Sequence, residues 1–165
     1  MPERPPLDEI DLKILSELQR DGRIRNNELA ERVGLSEPPC RRRVRALRER
    51  GHVSAIRATL DEKLLGYEVI SFVLIQLQSQ AQAPLQAFEK SVAALLLVLQ
   101  AWRISGDADY LLKCVARNVE GMHRQLLQFS VMPEVRNIRT FPVLGLAKDA
   151  PLPIPPSPAA SDPSQ

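Results

Sequence analysis

The stretch Val33-Gly34-Leu35-Ser36-Glu37-Pro38-Pro39-Cys40-Arg41-Arg42-Arg43-Val44-Arg45-Ala46-Leu47-Arg48-Glu49-Arg50-Gly51 decides the reading of the N-terminal third of the chain. Gly34 supplies a sharp turn, and Ser36 is a good N-cap for the helix that follows. Pro38 and Pro39 are tolerated in the first turn, where backbone N–H groups have no helical partner in any case. The helix is expected to run to about Arg50 and to stop at Gly51. Cys40, Val44 and Leu47 recur at i, i+4, i+7 and form its buried stripe. Arg41, Arg42, Arg45 and Arg48 then fall on the outer face, with Arg43 and Arg50 at its edges. One side of this helix is core and the other is a guanidinium surface.

Two helices lead into it. Leu7, Ile10, Ile14, Leu15 and Leu18 recur at helical spacing, with Asp8, Glu9 and Asp11 in the first turn, where carboxylates suit the helix dipole. Gly22 ends that helix. A second, shorter one spans about Asn26–Val33 and buries Leu29, Ala30 and Val33. Two helices joined by Val33-Gly34-Leu35-Ser36, the second basic on its solvent side, suit insertion into a DNA major groove. Arginine can bond bidentately to guanine O6 and N7. Arg41, Arg42 and Arg45 are the candidate base contacts. Arg23, Arg25, Arg48, Arg50 and Arg57 are candidate phosphate contacts. Ser36 and Glu37, at the helix start, complete the candidate DNA-binding set. RNA fits less well, because no aromatic stacking platform lies near the arginines.

The charge distribution agrees. The 165-residue chain has a formal net charge of only +2, but residues 1–60 hold 13 Lys+Arg against 10 Asp+Glu, and Glu37–Gly51 holds six Arg against two Glu. A basic module is joined to a near-neutral one. Hydrophobic content of 44% rules out wholesale disorder. The longest apolar run, Val92–Leu99, is eight residues, far short of the roughly 20 that span a membrane. Met1–Pro6 lacks a secretory apolar stretch, so the cytoplasm is the expected compartment.

Beyond Gly51 the pattern changes. His52–Leu60 reads as a short strand carrying Val53, Ile56 and Ala58, and Asp61–Tyr67 as a linker. Glu68–Gln78 is a strand, and Pro84–Leu97 a helix burying Leu85, Phe88, Val92, Leu95 and Leu96. Leu99–Ser105 and Tyr110–Arg117 are strands joined by Gly106-Asp107-Ala108-Asp109, a hairpin turn by composition. Val119–Val131 is a helix and Val135–Val143 a last strand. The order βαββαβ is the ferredoxin-like arrangement. The fold class is therefore α+β, a helix-turn-helix unit over 7–60 followed by a ferredoxin-like unit over 68–148. Flexible ends are expected at 1–6 and at 149–165, since Pro151–Gln165 holds six of the 14 prolines.

The Gly106–Asp109 turn has two readings. Its carboxylates and N–H groups could receive a zwitterionic amino acid, or the Asp residues could bond their own backbone. Cys40, on an apolar stripe, reads as a core residue, and Cys114 sits mid-strand. His52 and His123 are isolated. No nucleophile elbow, P-loop, glycosidase acid pair or metal-binding His pair is visible, so neither metal nor cofactor is expected.

Two runs carry a family likeness. One is Leu7-Asp8-Glu9-Ile10-Asp11, Ile14-Leu15, Leu18-Gln19 and Asp21-Gly22-Arg23, continued by Glu28-Leu29-Ala30, Val33-Gly34-Leu35-Ser36, Arg43-Val44, Leu47 and Gly51. The other is Ser105-Gly106-Asp107-Ala108-Asp109-Tyr110-Leu111-Leu112. Together they closely resemble the leucine-responsive regulatory protein (Lrp)/AsnC family of transcription regulators over about residues 7–148. The resemblance implies a winged helix-turn-helix and an effector and oligomerisation domain that dimerises through its sheet. Dimers in such proteins commonly assemble further into tetramers, octamers or hexadecamers, and amino-acid effectors bind between dimers. Carried across, the effector positions are Gly106, Asp107, Asp109 and Thr140, Phe141, Pro142 and Val143. The expected partners are double-stranded DNA, further copies of the chain and an amino acid, with no membrane. The rival class is an enzyme similar to the sirohaem decarboxylases, which are built on the same two domains; His52–Arg57 lies where those carry His and Tyr positions.

Overall fold

The computed structural model describes residues 6–155, divided into two units. In the first, α1 (Glu9–Arg20) is capped by Asp8, whose carboxylate accepts from the Asp11 N–H at 2.8 Å. α2 (Asn26–Val33) ends at Gly34, which takes φ +73°. There the Leu35 N–H reaches back to Ala30 O and the Gly34 N–H to Glu31 O. This left-handed stop satisfies carbonyls that the helix end leaves open, and it costs a glycine least. α3 (Glu37–Glu49) begins at once, with Ser36 as N-cap by backbone geometry but without a side-chain capping bond. The apolar stripes of the three helices meet in one core of Ile14, Leu29, Ala30, Val33, Cys40, Val44 and Leu47.

In the second unit, β1 (Val69–Leu77), α4 (Gln82–Ala93), β2 (Val98–Arg103), β3 (Tyr110–Ala116), α5 (Val119–Ser130) and β4 (Val135–Pro142) follow in the expected βαββαβ order. The sheet runs β2-β3-β1-β4 and its recorded pairings are all antiparallel. Alternation along β1 and β3 sends Val73, Ile75, Leu77, Tyr110, Leu112 and Cys114 into a core with Leu85, Phe88, Val92 and Phe129 of the two helices. The opposite face has no helix of this unit against it. It carries Phe72, Leu74 and Leu111, flanked by Trp102 and Phe141, which are 41% and 49% exposed.

Several expectations need correction. His52–Leu60 forms no strand: among the described residues no segment pairs with it, and an extended segment becomes a strand only by ladder bonding. The linker is tighter than expected. Asp61 accepts from the Leu64 N–H at 3.0 Å, and Leu65, Gly66 and Tyr67 donate back to Asp61, Lys63 and Glu62, making about one helical turn. The helix read as Pro84–Leu97 stops at Ala93, so Leu96 is 93% exposed rather than buried, while Leu95 remains packed against the core. The run Val92–Leu99 has helical periodicity throughout, but pairing with β3 claims its end. The tail expected from residue 149 onward has no helix or strand over 149–155. These residues belong to the first unit, where Gln19 Nε2 donates to Leu152 O at 2.9 Å. The expectations for 1–5 and 156–165 lie outside the described residues.

Candidate DNA-binding surface and effector site

The arginines of α3 separate into two groups by their position around the helix. At about 100° per residue, Arg42 falls nearly opposite the buried stripe, with Arg41, Arg45 and Arg48 to one side and Arg43 and Arg50 on the other flank. Arg41, Arg42, Arg45 and Arg48 are all exposed. Among the described residues, Arg41, Arg42 and Arg48 make no hydrogen bond or ion pair. Arg45 Nε donates to Glu49 Oε1 at 2.8 Å, one turn along the same helix. Such an exposed i, i+4 pair is worth only a few tenths of a kcal/mol and is readily exchanged for a phosphate or a base edge.

The other flank is structural. Arg43 Nη1 donates to Asp8 Oδ2 at 2.6 Å and to Asp11 Oδ1 at 2.8 Å, tying α3 to the start of α1. Arg50 Nη1 lies 4.0 Å from Asp11 Oδ2 and its side chain is 24% exposed. Its place at the edge of the basic face groups Arg50 with the phosphate contacts; the structure turns it toward Asp11, which is only 7% exposed. Arg43, outside the DNA-binding set, has its own task. Its bonds to Asp11 and Asp8 raise its pKa. Burial alone would raise that of Asp8, but the Asp11 N–H and Arg43 outweigh it and bring the carboxyl below its usual value. Arg23, Arg25, Ser36 and Glu37 are exposed around the turn and the helix starts, and Arg57 is exposed on the segment after α3.

In the second unit the Ile104–Asp109 loop joins β2 to β3, with Gly106 at φ +124°, which a side chain would strain. Asp109 is 8% exposed. Its Oδ2 accepts from the Leu77 N–H at 2.7 Å and its Oδ1 from Gln80 Nε2 at 2.8 Å, while its own N–H donates to Ile75 O at 2.9 Å. Of the two readings of this turn, Asp109 follows the one in which the carboxylate bonds the protein's own backbone; it fastens the loop to the end of β1. Asp109→Asn keeps one acceptor and loses the charge, so it is expected to destabilise this unit by about 1 kcal/mol, read by urea unfolding; an unchanged midpoint would mean that the loop is held otherwise.

Asp107, by contrast, is exposed and opens into a cleft of ≈ 240 Å³ lined by Leu74, Gln76, Ala108, Asn137 and Arg139. Asn137 and Arg139 arrive there because β4 pairs with β1 in the register Asn137↔Gln76 and Arg139↔Leu74. Thr140, Phe141, Pro142 and Val143 continue along β4 opposite Val73, Phe72, Ser71 and Ile70, away from the Asp107 cleft. The structure therefore gathers Asp107 with Gln76, Asn137 and Arg139, which the sequence did not single out. No local signal marks these three; only the strand register does. Pro142 is accommodated because β4 is an edge strand, and the Val143 N–H continues the ladder to Ile70 O at 2.8 Å.

Other reactive groups are sealed in the core. Cys114 is fully buried, and burial pushes its thiol up to about 12; burial also raises Cys40. Among the described residues no group of three His, Cys, Asp or Glu could hold a metal ion, and no helix is long and apolar enough to cross a membrane.

A three-helix unit that offers a guanidinium face on its last helix, joined to an α/β unit with a polar cleft, is the build of a DNA-binding transcription regulator with a small-molecule domain. Residues 7–53 match the winged helix-turn-helix DNA-binding family, and residues 70–153 match the Lrp/AsnC ligand binding domain. The chain belongs to the Lrp/AsnC family. It is 45% identical over 148 residues to a leucine-responsive regulatory protein of Rhizobium meliloti, covering 89% of this chain and 95% of that one. It is 35% identical to a proline dehydrogenase transcriptional activator of Rhizobium radiobacter, covering 87% of this chain and 92% of the relative. A Neisseria meningitidis transcriptional regulator solved with L-methionine superposes with a TM-score of 0.84 at 31% identity, covering 89% and 96% of the two chains. The family is one of transcription regulators, so the protein is a regulator and not an enzyme, and the decarboxylase alternative has no support.

Proposed function

We propose that the protein is an amino-acid-responsive regulator that reads operator DNA in the cytoplasm with the exposed face of α3 and works as an assembly of dimers. The observation that carries the DNA part is the division of labour on α3: Arg41, Arg42 and Arg48 stand exposed and unpaired among the described residues, while Arg43 holds the helix in place. Arg41, Arg42 and Arg45 contact base edges; Arg23, Arg25, Arg48 and Arg57 contact phosphates, with Ser36 and Glu37 at the entry of the helix into the groove.

The effector is a zwitterion in the Asp107 cleft. Asp107 takes the ammonium group and Arg139 the carboxylate, with Gln76 and Asn137 as further polar partners. The related regulator that holds L-methionine supports this class of ligand. Phe72, Leu74, Leu111, Trp102 and Phe141 form an apolar strip on the open sheet face, which supports dimerisation through the sheets. Further association of dimers brings Thr140–Val143 of another subunit toward the effector. An effector that favours one assembly changes the spacing of recognition helices, and so the affinity for multi-site operators, by its differential affinity alone.

The test is a titration against the DNA upstream of the protein's own gene at several salt concentrations, with and without a panel of amino acids. Saturable binding that survives competitor DNA is expected, with log affinity falling by about 0.9 per log unit of salt for each phosphate neutralised. One amino acid should shift the affinity in the wild type and not in Arg139→Ala. Identical titrations with every amino acid would sink the effector assignment while leaving the DNA assignment standing. Sedimentation of the same samples reads the assembly, and a monomer at micromolar concentration would count against the dimer.

A further inference from the structure

The first unit carries an apolar groove that DNA recognition does not use. One wall is α1, with Leu12, Leu15 and Leu18 on it and Leu7 just before it; the other is the extended segment after α3, with Val53 and Ile56. The groove holds ≈ 360 Å³ and is lined from above by Leu152, Pro153, Ile154 and Pro155. Gln19 Nε2, near the end of α1, donates to Leu152 O at 2.9 Å. Ile154 is half-buried, while its neighbours Pro151, Leu152, Pro153 and Pro155 are exposed. A single isoleucine is therefore the anchor.

The composition suits that role. Prolines at 151, 153 and 155 fix φ near the extended value and bring no N–H, so the segment reaches the groove already extended and with few donors to satisfy. A pre-set backbone loses less entropy on docking than a flexible one. Chain order adds a consequence. Residues 1–59 and 149–165 form one unit and 60–148 the other, so the ligand-binding unit is joined to the DNA-binding unit at both of its ends. The second junction follows six residues after the end of β4.

We propose that Leu152–Pro155 is a strap that docks in cis on the α1 groove and steadies the frame that aims the recognition helix. The link to α3 runs through α1: Arg43 bonds Asp8 and Asp11 at the opposite, N-terminal end of the same helix, so what steadies α1 steadies α3. The effect on DNA rests on the regulator reading; the docking itself does not.

Two experiments without DNA test the docking. In full-length protein carrying Gln19→Cys and Leu152→Cys, a short bis-maleimide cross-linker, which spans the gap that the Gln19 side chain bridges, should give a cross-linked species that runs as a monomer. The native Cys40 and Cys114 are fully buried and do not compete. A cross-linked dimer would overturn the cis assignment. In Ile154→Asp, amides of Leu15, Leu18 and Gln19 should exchange with solvent about tenfold faster, the shift expected from releasing one half-buried isoleucine. Unchanged exchange would overturn the strap. The same variant should bind operator several-fold more weakly than wild type in a parallel titration. Faster exchange with unchanged affinity would remove the coupling to DNA and leave the docking. Failure of the wild type to bind would instead count against the regulator reading.

Discussion

Arg43→Met is expected to destabilise the DNA-binding unit by about 2–3 kcal/mol, the largest single effect among the α3 arginines. The argument starts from Asp11, which is 7% exposed although it lies in the first turn of a surface helix. A carboxylate so placed gives up much of its hydration, and Arg43 Nη1 at 2.8 Å from Oδ1 compensates. Remove the guanidinium and, among the described residues, the ion-pair partner left to that charge is Arg50, 4.0 Å from Oδ2. Breaking a fully buried pair costs about 3–5 kcal/mol; the Arg43 side chain is 33% exposed, so solvent screening brings the expected loss below that range, to about 2–3 kcal/mol. The second bond, to the half-exposed Asp8, adds little by itself because solvent screens it. Methionine retains most of the arginine stem's packing, so the loss reports the charge.

Urea unfolding of Arg43→Met, Asp11→Leu and the double variant separates the pair from its parts. A coupling of 1–3 kcal/mol is expected, and a loss below about 0.5 kcal/mol in Arg43→Met would show a solvated surface pair instead. The acid side gives an independent reading. Asp8 has a folded pKa below its unfolded value, so its contribution is present above about pH 4 and is lost as pH falls through the still lower folded pKa. The wild type should therefore lose stability more steeply below about pH 4 than Arg43→Met, in which part of the cause of that lowering is gone.

How much of this was legible beforehand depends on whether the deciding interaction was local. The Cys40, Val44 and Leu47 stripe, the Gly34 stop and the βαββαβ order all follow from spacing and turn chemistry, and all are present. The separate tasks of Arg43 and Arg50 were not legible, because spacing places them at the edge of the face without saying that Asp11 stands opposite. Gln76, Asn137 and Arg139 form a cleft with Asp107 only through the pairing of β4 with β1, contacts of long sequence separation. The end of α4 was missed because Val92–Leu99 contains no breaker; a strand partner, not a capping residue, stops the helix. Composition alone reads the Pro151–Pro155 segment as disordered, because it does not show that Ile154, among the prolines, has a groove to anchor in.

Arg42→Ala should do the opposite of Arg43→Met: leave stability within about 0.5 kcal/mol and weaken operator binding by about 1–3 kcal/mol. Arg42 is exposed, nearly opposite the buried stripe, and has no protein partner among the described residues, so its removal breaks nothing in the fold. A helix seated in the major groove presents that part of its surface most directly to base edges. A bidentate contact to guanine is lost with its sequence information, so discrimination should relax at one base position per half-site. The slope of log affinity against log salt should stay nearly unchanged. A phosphate contact behaves differently: its loss weakens all sequences alike and reduces the slope by about one. Arg48→Ala, on the flank of the same helix, is the internal comparison, and there the reduced slope is the expected outcome. If Arg42→Ala lowers operator and non-operator binding equally, α3 meets the groove on a different flank. The base contacts would then pass to Arg41 and Arg45, with Arg45 first released from Glu49.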